Sequence, residues 1–176
     1  MNSGQAFENL VLPHLDAAFN LARWLLRDDA AAEDAVQDAA IRALRHIGSL
    51  AGDNARPWLL GIVRNTCFTR LERQRKGVEL IEFDDAAFEA ACGAAEGEGN
   101  DPATLLQQQR TRTLIDAAIQ ALAPALREVI VLREFEDLAY AEIAHIVAVP
   151  IGTVMSRLSR ARDRLREALA HLPLDR

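Results

Sequence analysis

The chain is 176 residues long, 50% hydrophobic and carries a formal net charge of -6, which suits one moderate domain or two small ones and excludes general disorder. Ala and Leu dominate, aromatics are 5% and no run of alternating β-branched residues occurs, so the expected fold class is all-α. No apolar run reaches the roughly 18–20 residues that span a bilayer, and the N-terminus, with Glu8 and no early Lys or Arg, does not resemble a signal peptide; a cytoplasmic protein without membrane insertion is expected.

Taken in chain order, LDAAFNLARWLLRD reads as a helix from about Leu15, with Leu15, Phe19, Ala22 and Leu26 on one side. AAAEDAVQDAAIRALRHI is a second helix, whose buried face is expected to be Ala32, Val36, Ala39, Ala40, Ala43 and Ile47. That leaves Glu33, Asp34, Gln37, Asp38 and Ile41 on or beside the exposed face. An acidic patch with an apolar neighbour suits a basic protein partner. Acids in the first turns also complement the helix dipole, and spacing alone leaves both readings open.

A third helix starts near Pro57 and runs PWLLGIVRNTCFTRLERQRK to a basic end. Trp58, Gly61, Asn65, Thr69, Glu72 and Lys76 form one stripe along it, while Leu59, Ile62 and Val63 on one side and Leu60, Phe68 and Leu71 on the other make the rest apolar. Neighbours should therefore grip this helix almost all round. Its stripe, flanked by arginines, suits a nucleic-acid surface, with Asn65 alternatively a hydrogen-bonded interior amide.

Charge then changes abruptly. Six basic residues between Arg56 and Lys76 stand against Glu72 alone, whereas residues 77–101 hold eight acids and no base. With Gly93, Gly97, Gly99 and Pro102 near its end, this stretch has the composition of a flexible tether. Residues 77–104 are read as an acidic linker, either simply solubilising or regulatory, between two small helical domains, 1–76 and 105–176, each expected to fold on its own.

The most informative stretch is LAYAEIAHIVAVPIGTVMSRLSRARDRLREAL, residues 138–169. Leu138, Ile143 and Ile146 give a first helix its apolar side, and Pro150 with Gly152 breaks the chain. In a second helix Val154, Leu158, Ala161, Leu165 and Leu169 stack on one buried face, and Thr153, Ser156, Arg157, Arg160 and Arg164 fall opposite. Five arginines stand against one acid, Asp163, between Thr153 and Arg166, in a chain that is acidic overall. This is a helix-turn-helix with hydroxyls and guanidiniums placed to reach base edges and phosphates in a major groove.

AEDAVQD at 32–38, RPWLLGIVRNTC at 56–67 and EDLAYAEIAHIVAVPIGTVMSRLSRARDRL at 136–165 resemble the extracytoplasmic-function (ECF) sigma factors of bacterial RNA polymerase, in order and spacing. The resemblance covers both helical blocks and implies a promoter-specificity subunit that binds core polymerase and the minus-10 element with its first domain and the minus-35 element with its second. Glu33, Asp34 and Gln37 match the family's polymerase-docking patch, which Asp38 and Ile41 adjoin. Asn65 and Thr69, with Trp58 and Gly61 on the same stripe, match the minus-10 face, and the loop from Gly48 through Ser49 and Asn54 to Ala55 matches the loop that holds a flipped-out base. Ser156, Arg157, Ser159 and Arg160 match the minus-35 reader, with Thr153 and Arg164 on the same side. Ala31 departs from the docking motif, and Gly61, Thr69 and Met155 stand where larger polar or basic residues are common. An anti-sigma factor is the further partner the resemblance implies.

Two weakly binding readers on a tether gain specificity by avidity, and polymerase would set their spacing. With only Trp58 and Phe68 as aromatics between 41 and 76, few stacking platforms offset the unstacking of a base, so a strict promoter preference is expected. The alternative is a stand-alone helix-turn-helix regulator that binds operator DNA without polymerase. An enzyme finds no support: His14, His46, His145 and His171 are scattered, and no phosphate-binding glycine loop occurs. Cys67 and Cys92 lack CxxC spacing and read as plain thiols, so neither a metal nor another cofactor is expected.

Overall fold

The computed structural model describes residues 3–52, 54–77 and 102–170, and every regular element among them is helical. The first block holds α1 (Ser3–Leu10), a 3₁₀ turn (Leu12–His14), α2 (Leu15–Leu26), α3 (Asp29–His46), a second 3₁₀ turn (Ile47–Ser49) and α4 (Ala55–Gly77). The second holds α5 (Pro102–Gln120), α6 (Pro124–Ile130), a π-helical turn (Val131–Phe135), α7 (Tyr140–Val147) and α8 (Ile151–Leu169). Most of the expected linker, residues 78–101 with Cys92 among them, lies outside the described residues; helix α5 takes up its last three positions.

Local chemistry sets the ends of these helices. Asp28 caps α3 by accepting a hydrogen bond from the Ala31 amide at 2.6 Å, and Arg45 and His46 sit where the last turn favours positive charge. Helix α2 stops because Arg27 turns left-handed at φ 60°, its amide donating back to the Arg23 carbonyl at 2.9 Å. Pro124 opens α6 in the first turn, where its missing amide hydrogen is no loss.

In the first block α2, α3 and α4 pack each against the other two. The seam of α3 is Ala32, Ala35, Ala39 and Ala43, all fully buried, against Leu59, Leu60, Val63 and Cys67 of α4 and Ala18, Leu21 and Ala22 of α2 within one cluster. This corrects the expected α3 face: Ala35 is buried, while Val36, Ala40 and Ile47 are only half-buried. An all-alanine seam lets three helices approach closely, which a larger Val36 at its centre would prevent.

In the second block α8 packs against α5, α6 and α7, burying Val154, Leu158 and Ala161; Leu165 and Leu169, expected on that face, are half-buried near its end. The blocks are also packed on one another, α4 against α7 and α2 against α6 and the π-turn, so one cluster of buried apolar residues runs through both. The expectation that they meet only through a tether and a polymerase is therefore corrected. Helix α4, apolar on two sides, packs against α2 and α3 of its own block and α7 of the other. Among the described residues no single helix is long and apolar enough to cross a membrane.

The turn between α7 and α8 carries a cost that the sequence did not advertise. Ala148 sits at φ 55°, with its own amide and that of Val149 both reaching back to the Ala144 carbonyl. A Cβ in the left-handed region costs about 1 kcal/mol that glycine would not incur. Ala148→Gly is therefore expected to raise the melting temperature by about 2–4 °C. A scanning calorimetry trace with an unchanged or lower midpoint would show that the turn carries no such strain.

Candidate nucleic-acid interface

Helices α7 and α8 bend by 100° at the break between them, and the angle is fixed from both sides. Leu138, Ile143, Ile146 and Val147 meet Val154, Leu158 and Ala161 in the core. Pro150 starts α8 by accepting from the Thr153 amide at 2.9 Å, and Glu142 closes the start of α7 by accepting from the Ala139 amide at 2.8 Å. What remains outside on α8 is an exposed edge of Ile151, Gly152, Met155, Ser156, Ser159 and Arg160.

The arginines of α8 are not equivalent. Arg162 pairs with Glu134 at 2.7 Å, a hydrogen bond that holds its guanidinium above the usual arginine range. Arg166 pairs with Asp163 at 2.7 Å, and Arg164 reaches Glu167 at 3.7 Å. Arg157, expected on the outer face, turns inward and donates to Glu128 at 3.4 Å. It follows Val154 by three residues, close to the buried row, and an adjacent carboxylate captures it. Arg160 has no ion-pair partner among the described residues. Ser156 donates its hydroxyl to the Thr153 carbonyl at 3.0 Å, and Thr153 itself is half-buried.

On the first block Glu33, Asp34, Gln37, Asp38 and Ile41 are all exposed on α3. Arg70 of α4 bonds Asp38 at 2.6 Å and lies 3.8 Å from Asp34, so two of these acids are held in place while the rest of the patch faces solvent. Gly48 and Ser49 form the exposed second 3₁₀ turn, pinned by the Ser49 hydroxyl donating to the His46 carbonyl at 2.7 Å. Along α4, Trp58, Gly61 and Thr69 are half-buried and Asn65 is exposed, which removes the alternative of an interior amide. Thr69 donates its hydroxyl to the Asn65 carbonyl at 2.9 Å. Cys67 is buried, and desolvation pushes its thiol up to about 12, so it stays a protonated apolar filler.

The seam between the blocks is built from charged groups that sequence reasoning missed. Glu128, 2% exposed, accepts from Arg64 of α4 at 2.7 and 3.3 Å and from Arg157 of α8, so one carboxylate holds an arginine from each block. Its neighbour Arg127 is buried and donates to four backbone carbonyls: Ile119, Gln120 and Leu122 around the end of α5, and Trp24 in the last turn of α2 across the seam. Burial lowers the Arg127 guanidinium to about 10, which leaves it charged at neutral pH. Glu136, also buried, accepts from Asn20 and Arg56, each at 2.6 Å. Asn54, on the expected minus-10 loop, donates to Glu142 of α7 at 3.0 Å. The Trp24 and Phe135 rings meet in a tilted contact, centroids 5.3 Å apart, and Arg27 donates to the Gln120 side chain at 2.8 Å and to its carbonyl. The one legible signal was Arg127–Glu128 itself, two adjacent opposite charges inside the apolar run LREVIVL.

These two blocks coincide with two known protein families. Residues 10–77 match the family described as Sigma-70 region 2, and residues 112–165 that described as Sigma-70, region 4. The RNA polymerase sigma-H factor of Pseudomonas aeruginosa is 34% identical over 171 residues, covering 96% of this chain and 88% of that protein. The ECF RNA polymerase sigma-E factor of Escherichia coli K12 is 38% identical over 138 residues, covering 75% of this chain and 70% of that protein. The sigma factor RpoE of Bartonella quintana, crystallised with the anti-sigma factor NepR, superposes with a TM-score of 0.74 at 29% identity, over 97% of this chain and 98% of that one. A region 2 helical block followed by a region 4 helix-turn-helix block defines a promoter-recognising class of transcription initiation protein. Within it, the chain belongs to the extracytoplasmic-function sigma factors, which direct bacterial core RNA polymerase to specific promoters and start their melting.

Removing Glu128 leaves Arg64 and Arg157 without their shared partner. Because those side chains are 18% and 26% exposed and water can reach them, Glu128→Ala is expected to destabilise the fold by about 1–3 kcal/mol, below the usual loss for a fully buried pair. Chemical denaturation measures it, and a loss under a few tenths would mean that the carboxylate is dispensable to the seam.

Proposed function

We propose that residues 1–76 dock on core polymerase and engage the minus-10 element, that residues 105–176 bind the minus-35 element, and that 77–104 join them. The observation that carries this reading is the outer edge of α8, where a guanidinium without an ion-pair partner among the described residues, that of Arg160, stands beside exposed Ser156 and Ser159. Arg160 is the base reader. Arg164 and Thr153 flank it toward the phosphate backbone, and Arg157, already bonded to Glu128, positions the helix. On the first block Glu33, Gln37 and Ile41 form the docking contact, with Asp34 and Asp38 held beside them by Arg70. Gly48, Ser49, Asn54, Trp58, Gly61, Asn65 and Thr69 line the minus-10 surface.

Because Asn54 is bonded to Glu142, its engagement with promoter DNA exchanges that bond across the seam for a nucleic-acid partner. That coupling suits control by an anti-sigma factor, the kind of partner bound to the Bartonella quintana relative. Acting with core polymerase, the protein works in the cytoplasm and carries no chemistry of its own.

Run-off transcription with core polymerase tests the whole reading, and two variants apportion it. Reversing Glu33 and Asp34 to Lys turns attraction across the docking face into repulsion, and pull-down of core enzyme should fall by about tenfold or more. Undiminished capture would return those acids to helix-dipole partners. Arg160→Ala should lower transcription by about 5- to 150-fold on promoters carrying the preferred minus-35 bases and far less on others. An equal loss on every promoter would show that Arg160 holds only backbone.

A further inference from the structure

We propose that Met155, with Ile151 one turn before it, reads the C5-methyl group of a thymine in the minus-35 major groove, a specificity contact that works beside Arg160. The inference rests on the reading of α8 as the minus-35 helix. Met155 is 53% exposed and Ile151 49%, while Val154 and Leu158, each one residue from one of the reading rows, are fully buried. Four residues apart on a helix, Ile151 and Met155 lie one above the other, and the row continues to Ser159. The adjacent row is Gly152, Ser156 and Arg160. The first three turns of α8 thus present two apolar side chains edge to edge with two hydroxyls and an unpaired guanidinium.

The neighbouring groups narrow what these apolar side chains meet. Arg157 and Arg162 are turned to Glu128 and Glu134, Arg164 and Arg166 to acids on their own helix, and the Ser156 hydroxyl donates to backbone. A phosphate backbone would be met by cations, and an acidic or polar partner surface gains nothing from a thioether. In the major groove the projecting apolar group is the C5-methyl of thymine, which stands beside the acceptors that an arginine reads. A methionine suits it because its side chain is flexible and polarisable and adapts to a small projecting group. Gly152, in the adjacent row with open space where a Cβ would stand, lets the groove wall approach beside the two side chains. A thymine one or two steps from the base read by Arg160 is therefore part of the preferred minus-35 element.

The test uses holoenzyme assembled from the full chain and core polymerase, with promoter DNA selected from a pool randomised across the minus-35 element. The wild-type protein should enrich thymine at a position where Met155→Ala no longer enriches it. Replacing that thymine by deoxyuridine, which lacks only the methyl group, should weaken wild-type promoter binding by about fourfold and leave Met155→Ala binding unchanged. Met155→Leu should retain the preference. Equal wild-type binding to thymine and deoxyuridine, or a selected element with no thymine on either strand, overturns the proposal. Arg160→Ala run through the same selection separates the two levels. If it alters base preference while deoxyuridine is neutral, α8 is the reader and only the methyl contact fails; if neither variant alters any preference, the assignment of α8 to the minus-35 element fails as well.

Discussion

Two adjacent residues of opposite charge, Arg127 and Glu128, are buried side by side in α6, and the arrangement of the rest of the molecule follows from satisfying them. An isolated charge in an apolar interior is so unfavourable that its partners become structural requirements. Arg127 meets the requirement with carbonyls at the ends of two helices, α5 in its own block and α2 in the other. Carbonyls at a helix end carry the negative pole of the dipole, so one guanidinium both caps and joins the two helices. Glu128 meets it with an arginine from each block. The seam is thereby specified by bonds that have one correct register, whereas apolar packing alone would tolerate sliding.

The same accounting of charges sorts the candidate DNA contacts. A helix with five arginines looks uniformly suited to a polyanion, yet its arginines differ in what they already hold. Those paired with acids stiffen α8 and fix its angle against α6, and the unpaired Arg160 is free to form a new bidentate bond without first breaking an old one. The α3 acids divide likewise, since Arg70 restrains Asp34 and Asp38 while Glu33 faces solvent. Asn54 is the counter-case, a minus-10 candidate whose amide is already engaged across the seam.

Much of this protein was legible in its residues. Helix periodicity gave α2, α3 and α4 to within two residues of their observed starts and the buried row of α8, because burying an apolar stripe in water is a local demand written at 3.6-residue spacing. Gly152, read as part of the break, lies inside α8. Charge segregation marked the two blocks, and the motifs in α3, α4 and α7–α8, in order and spacing, marked the family. What periodicity could not resolve was the choice between near-equivalent faces: Ala35 against Val36 differs by one helical step, and only the closeness of α2 and α4 selects the smaller residue.

The sequence by itself thus determined helices, polarity of faces and family, all properties carried by residues near one another in the chain. Only the tertiary structure decided which charges are spent inside. Arg64 and Glu128 are 64 residues apart, Asn20 and Glu136 are 116, and no local pattern announces that such groups will meet. An arginine on a helix face reads the same in sequence whether it waits for DNA or is held by a carboxylate from another helix, because pairing is a property of distance in space. That distinction, between Arg157 and Arg160 three residues apart, exists only once the two blocks have packed.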